Sequence, residues 1–487
     1  MRMKFSGVVD MRWTIAAVMW LASTLAFAQE GTLKADFRRE GERLSEACRL
    51  TGLKAIPGCG IEVFTDHPLH LAAGSMPPQN GFGLGLAFVG GKSTTNWRMT
   101  WDLDAVGSTN ASFRAGGYMK MVHTPPESIK VLTPVSPGPG TTGAPPSMSR
   151  SNSPSFVHPY TLFNLYAQTI SLNQLFYFGL GNNSQPSGQT VFGMTETITG
   201  VNVIKPVFEW KAIRAFNVAL LGEMNGRFVS VRGNQGASKP SIETLYTDAS
   251  APGLTSQPSM AQFGEGVRIK PTILHRLQLN YLGSFQQFAA SADSHHSFLR
   301  WTADLDHTFN LYGSTQSAAV SNDNHGPDEC APLTERCPSV SRSRNLSGSL
   351  GVRLLLSESF ASSANTVPFY FQPTLGGSDL NGATALATYT DYRFRGPNVL
   401  LLQESFEHSI WGPFGFAFAA DQGKVTVLRS DIAFDHLKHS FAAGLTLRAG
   451  GFPMVSLLFA WGGSEGTHNI FTMNSSLLGG STRPSLF

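Results

Sequence analysis

The stretch "LRWTADLDHTFNL", residues 299–311, alternates with a period of two. Leu299, Trp301, Ala303, Leu305, Phe309 and Leu311 share one face, opposite Arg300, Thr302, Asp304, Asp306, Thr308 and Asn310. Successive side chains of a strand point to opposite faces, so this spacing predicts a strand and excludes a helix. The pattern returns in "RMTWDLDAV" (98–106), "ASFRAGGYMKM" (111–121), "RLQLNYL" (276–282) and "NLSGSLGVRLLL" (345–356). Several of these runs exceed the ~5 to 6 residues of ordinary strands and match the ~9 to 11 that a tilted strand needs to cross a bilayer. A soluble sandwich also alternates, but its strands are short and its polar face is outside. In a transmembrane barrel the apolar face meets lipid and the charged face lines the interior.

Composition agrees with this reading. Charged residues make up 14% of the 487 positions, against roughly 25% in soluble domains. Glycine (50 residues) and aromatics (11%) are plentiful, as an all-β chain facing lipid would have them. The formal charge is only +3 and Lys and Arg do not cluster, so nucleic-acid binding has no support.

The chain opens with "MRMKFSGVVDMRWTIAAVMWLASTLAFAQE", in which Arg2, Lys4 and Arg12 precede an apolar run that closes on Ala26-Phe27-Ala28. This reads as a cleaved secretory signal over residues 1–28 and implies export. The alternative, an uncleaved anchor, calls for an apolar span of ~20 residues. No later window is apolar for long enough to make a transmembrane helix. Gln29 rather than Cys follows the cleavage point, which argues against lipid anchoring. Export to an oxidising compartment makes two local disulfides plausible, Cys48 with Cys59 and Cys330 with Cys337. Neither pair has zinc-ligand spacing.

Sixteen strands are expected, beginning near 81, 95, 109, 159, 172, 191, 215, 262, 276, 297, 343, 398, 413, 439, 453 and 467. An even number suits a single-chain bacterial barrel. With both ends of the barrel periplasmic, the Pro/Ser-rich run 124–155 and the segment 233–261 fall outside, while 313–341 falls at the periplasmic end against the usual loop asymmetry. Residues 29–80 precede the barrel and are either a short periplasmic or plugging helix around "KADFRREGERLSEACRLTG" or an unstructured tail.

Catalytic patterns are weak. "GGSEG" (462–466) matches G-x-S-x-G, but a nucleophile elbow needs a strand-to-helix turn and this match lies between two strands, so a hairpin turn is expected. Asp306 and His307 fall on opposite faces, and His295-His296 reads as loop. "SNDNHGPDE" (321–329) lacks calcium-loop spacing, and no glycine-rich phosphate loop is present. No enzyme activity, metal or cofactor is expected.

One region carries a resemblance. "LGGSDLNG" (375–382) followed by "DYRFRGPNVLLLQESFEHSIWGPFGFAFAADQGKV" (391–425) is similar to the bacterial surface antigen family, the BamA- and TamA-like outer-membrane barrels. The similarity runs from about 368 to 487. It implies a sixteen-stranded transmembrane antiparallel barrel over 81–487, with a loop folded into the lumen before the twelfth strand. Gly376 and Gly377 open that loop, and Arg393, Phe394 and Arg395 close it. Asp421 and Gly423 occupy the family's Phe-x-Asp-x-Gly strand motif, and Glu404 and Asp421 stand where the family has acidic wall partners. The family's Arg-Gly loop tip is replaced by "LATY", with Ala387 and Thr388 at the Arg and Gly positions. Arg393 or Arg395 is then expected to meet the wall acids, since a guanidinium fork suits an interior carboxylate; the alternative leaves both acids in a wet lumen.

The resemblance further implies assembly, insertion or translocation of outer-membrane proteins or lipids, through opening between the strands near Phe82–Phe88 and Ile470–Leu478. Outer-membrane lipid and client barrel proteins or a periplasmic partner are the expected partners. Residues 29–80 are too short for one of the family's periplasmic repeat domains. Phe487 matches the terminal aromatic that assembly machinery reads. The alternative function is a passive channel or solute transporter with the loop as constriction.

Overall fold

The computed structural model describes residues 69–123, 160–209, 216–320, 340–473 and 484–486, apart from 235, 274–275, 364, 412–413 and 450–451. The chain divides into two units, Met1–Leu71 and Ala72–Phe487, and the first is described only at 69–71. The expected signal peptide, the helix before the barrel, all four cysteines and Phe487 lie outside the described residues.

The long alternating runs form one sixteen-stranded antiparallel sheet in chain order. Its first half is β1 (Leu69–Ser75), β2 (Phe82–Ser93), β3 (Trp97–Ser108), β4 (Phe113–His123), β5 (Leu162–Tyr177), β6 (Thr190–Glu209), β7 (Phe216–Arg232) and β8 (Met260–Ile273). Its second half is β9 (Leu277–Ala290), β10 (Phe298–Val320), β11 (Val340–Phe360), β14 (Asn398–Trp411), β15 (Phe414–Thr426), β16 (Lys438–Ala449), β17 (Phe452–Gly463) and β18 (Gly466–Met473). A separate two-stranded ladder, β12 (Thr374–Leu375) with β13 (Phe394–Arg395), belongs to the loop between β11 and β14. β14 is therefore the twelfth strand of the sheet, directly after that loop. β1 and β18 are its edge strands, and among the described residues no pairing joins them.

Polarity is inverted relative to a soluble protein. On β3 Leu103 is 51% exposed beside Asp104 at 5%, and on β8 Phe263 is 47% exposed beside Gln262 at 0%. The inner face holds the charges in pairs: Arg114 with Asp104, and Arg227 with Glu196 at 2.9 Å. Such pairs satisfy groups that would otherwise be costly to bury. The β11–β14 loop packs against this inner face from Tyr177 on β5 and Phe192 on β6, through Phe288 and Phe298, to Ser440 on β16 and Glu465 beyond β17. One loop reaching so many strands requires the sheet to roll around it.

The strand number matches the expectation, but two of its parts differ. The expected strands near 159 and 172 are one strand, β5, whose register against β6 shifts between Leu172 and Leu175. Asn80 pins that irregularity: its Oδ1 accepts the Asn173 N–H at 3.0 Å, the Gln174 N–H at 3.1 Å and the Ser112 hydroxyl at 2.8 Å. A bulge interrupts the alternation, which is why the sequence reads as two strands. The missing strand is β1, before the expected start at 81, so the first edge is Leu69–Ser75 rather than the strand near 82–88; the last edge, β18, is the expected closing strand as far as Met473, and 474–478 lie outside the described residues.

Parity changes with it. The 124–159 link joins β4 to β5 at the same end where 321–339 joins β10 to β11, whereas 233–259 and the inward loop occupy the opposite end. The expectation that 124–155 and 233–261 share one side is thus corrected: 124–155 lies instead at the end of the β10–β11 link, which keeps the side expected of 313–341.

Candidate functional site

The loop between β11 and β14 enters as an aromatic wedge and turns back as a hairpin. Phe369, Tyr370 and Phe371 form a 3-10 turn, and Phe369 meets Tyr177 and Phe192 edge-on at 5.3 and 5.1 Å. Edge-to-face contacts place the positive ring rim against the negative ring face, which fixes orientation as well as area. β12 then pairs with β13 through Thr374↔Arg395 and Leu375↔Phe394.

Glycine is required where the hairpin leaves β12. Gly376 and Gly377 have φ of 99° and 60°. A Cβ at Gly376 would lie 2.5 Å from the Arg393 Cβ, and one at Gly377 2.7 Å from the Asp391 Cα. Gly423 clears space on the wall, where a Cβ would meet Leu375 and Leu401 at 3.0 Å. Leu386 at the tip has φ 52°, a left-handed conformation costly for a residue with a Cβ. Its surroundings hold it there: the Leu386 N–H donates to Asp421 Oδ2 at 2.8 Å, and its carbonyl accepts the Tyr389 N–H at 3.0 Å.

A polar chain runs from this tip along the wall. Gln403 donates to Asp421 Oδ1 at 3.0 Å and to the Thr384 carbonyl at 3.1 Å. Its own Oε1 accepts from Arg353 at 3.0 Å, and Arg353 forks onto Asp304 at 2.8 and 3.0 Å. Beside it the Thr388 N–H donates to Ser440 at 3.0 Å, and the Tyr389 hydroxyl accepts the Ser464 N–H at 3.3 Å.

The expected arginine contacts are not those formed. Neither Arg393 nor Arg395 reaches Asp421 or Glu404. Arg393, 3% exposed, pairs with Glu465, donates to the Ser184 hydroxyl at 2.7 Å and to the Ser184 carbonyl at 2.6 Å, and lies 4.8 Å from the ring centres of both Phe178 and Phe394. Arg395 donates to the Phe369 carbonyl at 2.8 Å and lies near the Tyr177 and Phe369 rings. Burial lowers its pKa to about 10, which leaves it charged at neutral pH. Phe394 is buried against Tyr389.

Glu404 is displaced for a simple reason. The ladder sets Gln403 opposite Asp421 and Glu404 opposite Ala420, and the period of two then turns Glu404 to the exposed face. Asp391, in the loop near its end, accepts from the Ser378 N–H at 2.9 Å and from Gln79 at 2.8 Å, yet burial raises its pKa above the ordinary carboxylate value.

Sequence reasoning missed Glu465, Ser184, Gln403 and Ser440. Glu465 sits in "GGSEG", which forms the turn between β17 and β18. Its role has no motif, because the partner lies 72 residues away.

No family model matches the sequence, and no curated protein matches it. Among solved structures, the chain is similar to CdiB from Escherichia coli, at 12% identity over 84% of this chain and 61% of that one, with a TM-score of 0.48. CdiB from Acinetobacter baumannii matches at 11% identity over 83% of this chain and 56% of that one, with a TM-score of 0.42. BamA from Haemophilus ducreyi lacking POTRA domains 1-3 matches at 9% identity over 83% of this chain and 68% of that one, with a TM-score of 0.43. The chain thus spans 56% and 61% of the two CdiB chains. At these scores the likenesses carry no part of the argument that follows.

Proposed function

We propose that this protein is an outer-membrane β-barrel of a Gram-negative envelope that acts, without catalysis, in the assembly, insertion or translocation of outer-membrane proteins or lipids. The observation that carries the reading is a pair of short edge strands, β1 and β18, with no pairing between them among the described residues, in a sheet whose apolar face is turned out. An unpaired edge presents backbone N–H and C=O groups that an incoming strand can continue. Apolar outward residues such as Leu103, Phe263 and Phe471 supply the lipid contact that strands of this length need.

The inward loop supports the same reading. Fixed by Asp421, Ser440 and Glu465, it occupies the interior where a passive channel would need an open path. The resemblance of residues 368–487 to the surface antigen family, noted from the sequence, points the same way.

The test is photo-crosslinking in living cells from Phe471 on edge strand β18, which is 61% exposed, with Phe285 on the interior strand β9 as control. Adducts to newly made outer-membrane proteins from Phe471 and not from Phe285 are the expected result. Equal labelling from both positions would remove the seam from the mechanism.

A further inference from the structure

Residues 484–486 lie against the interior wall of β5–β7 although β18 ends at Met473. The Leu486 N–H donates to Glu223 Oε2 at 2.9 Å, the Pro484 carbonyl accepts from Asn202 at 3.1 Å, and the Ser485 hydroxyl accepts from Arg227 at 3.2 Å. The Leu486 side chain, 7% exposed, packs with Leu162, Ile204, Ala219 and Leu221.

The wall is built to receive such a segment. Glu223, Asn202 and Arg227 are each buried to 6% exposure or less. Glu223 Oε1 is already taken by the Tyr166 hydroxyl at 2.5 Å and by Asn225 at 2.7 Å, so Oε2 serves the segment. Asn202 uses its Oδ1 to accept from Asn164 and turns its amide to the Pro484 carbonyl. Arg227 is fixed by Gln262 at 2.6 Å and Glu196 at 2.9 Å, with one nitrogen left for Ser485. Proline brings no N–H that needs an acceptor, and its fixed φ holds the segment extended.

Placement gives this contact its meaning. Leu162 and Tyr177 are the first and last residues of β5, about 50 Å apart at the usual strand rise. The inward loop packs on Tyr177, and Leu486 packs on Leu162. Arg227 lies between them, 5.9 Å from the Phe371 ring of the loop.

We propose that the inner face of β5–β7 is a peptide-binding site whose occupant is the chain's own segment 484–486. Bound there, the segment is a tethered plug that closes the end of the interior opposite the inward loop. The ligand class is an extended peptide whose three contacting residues are uncharged, with an aliphatic residue at the position of Leu486. This reading stands whether the protein assembles clients or conducts solutes.

The test is the rate at which a maleimide modifies Ala219→Cys in folded protein whose native cysteines are replaced by Ser. Ala219 is 0% exposed under Leu486. Removing residues 484–487 should raise the rate severalfold, with heat-modifiable gel mobility reporting an intact barrel. Adding the peptide STRPSLF should lower it again, and the same peptide with Leu486→Asp should not. An unchanged rate after truncation, or equal protection by both peptides, would overturn the proposal. Should the truncated chain fail to fold, hydrogen exchange at the Leu486 amide in the untruncated chain decides: slow exchange supports the plug and exchange at the free-peptide rate excludes it.

Discussion

The backbone N–H of Leu386, held at φ 52°, donates to the Asp421 carboxylate at 2.8 Å and so joins the tip of the inward loop to β15. The donor is main-chain, which makes the contact independent of the side chain at position 387.

Asp421→Ala should leave that N–H buried without its acceptor, at about 1–3 kcal/mol for an unsatisfied group, and should leave the Gln403 amide with the Thr384 carbonyl alone. Protease sensitivity and amide exchange over 384–390 should rise while the barrel keeps its heat-modifiable mobility. Asp421→Asn, which retains one acceptor, should show a smaller change.

Arg393→Ala should loosen the loop more than Glu465→Gln does. It removes the contacts to Ser184 as well as the ion pair, and stripping one partner from a buried pair costs about 3–5 kcal/mol. Arg393→Lys should rescue little, because an ammonium cannot fork between Glu465 and Ser184 or lie flat on Phe178. Limited proteolysis ranks the three variants.

Asp391 provides a pH dependence. Burial raises its folded pKa above 3.8, so the folded loop binds that proton more tightly than the unfolded chain. The associated stability is fully present below the unfolded pKa and is lost as pH rises through the folded one. Amide protection of residues 378–391, corrected for intrinsic exchange, should fall across the window just above pH 3.8. Asp391→Asn should flatten that dependence.

Asn80→Ala should destabilise the barrel itself. It removes one acceptor from two backbone N–H groups of β5 and from Ser112, a loss of about 2 kcal/mol or more. A lower urea midpoint for heat-modifiability, with the loop's protease pattern unchanged until unfolding, is the expected signature.

Much of the fold was legible because the period of two is a local signal. Leu299 through Leu311 carry their facing in the sequence, as do Met99 through Ala105. The legibility fails where geometry breaks the period. β5 looked like two strands because its bulge at Asn173 and Gln174 is held by Asn80, 93 residues away. β1, only seven residues long, has too little alternation to be read.

The site was legible in its glycines and less so in its charges. Gly376, Gly377 and Gly423 stand where close backbone approach demands them, and a glycine pattern survives in one dimension. Which acid meets which arginine depends on register: a one-residue difference sets Gln403 rather than Glu404 beside Asp421, and Arg393 turns to Glu465 across the interior. Residues 484–486 could not be placed from sequence, since their partners on β6 and β7 lie more than 250 positions away.

The measurement that tests the central claim most directly is quantitative proteomics of outer membranes from a deletion strain, with lipopolysaccharide and phospholipid asymmetry read in parallel. An assembly or translocation role predicts selective loss of a few outer-membrane proteins or of a lipid, restored by the intact gene and not by a chain whose β1 and β18 are locked together. A membrane unchanged in both protein and lipid would contradict it.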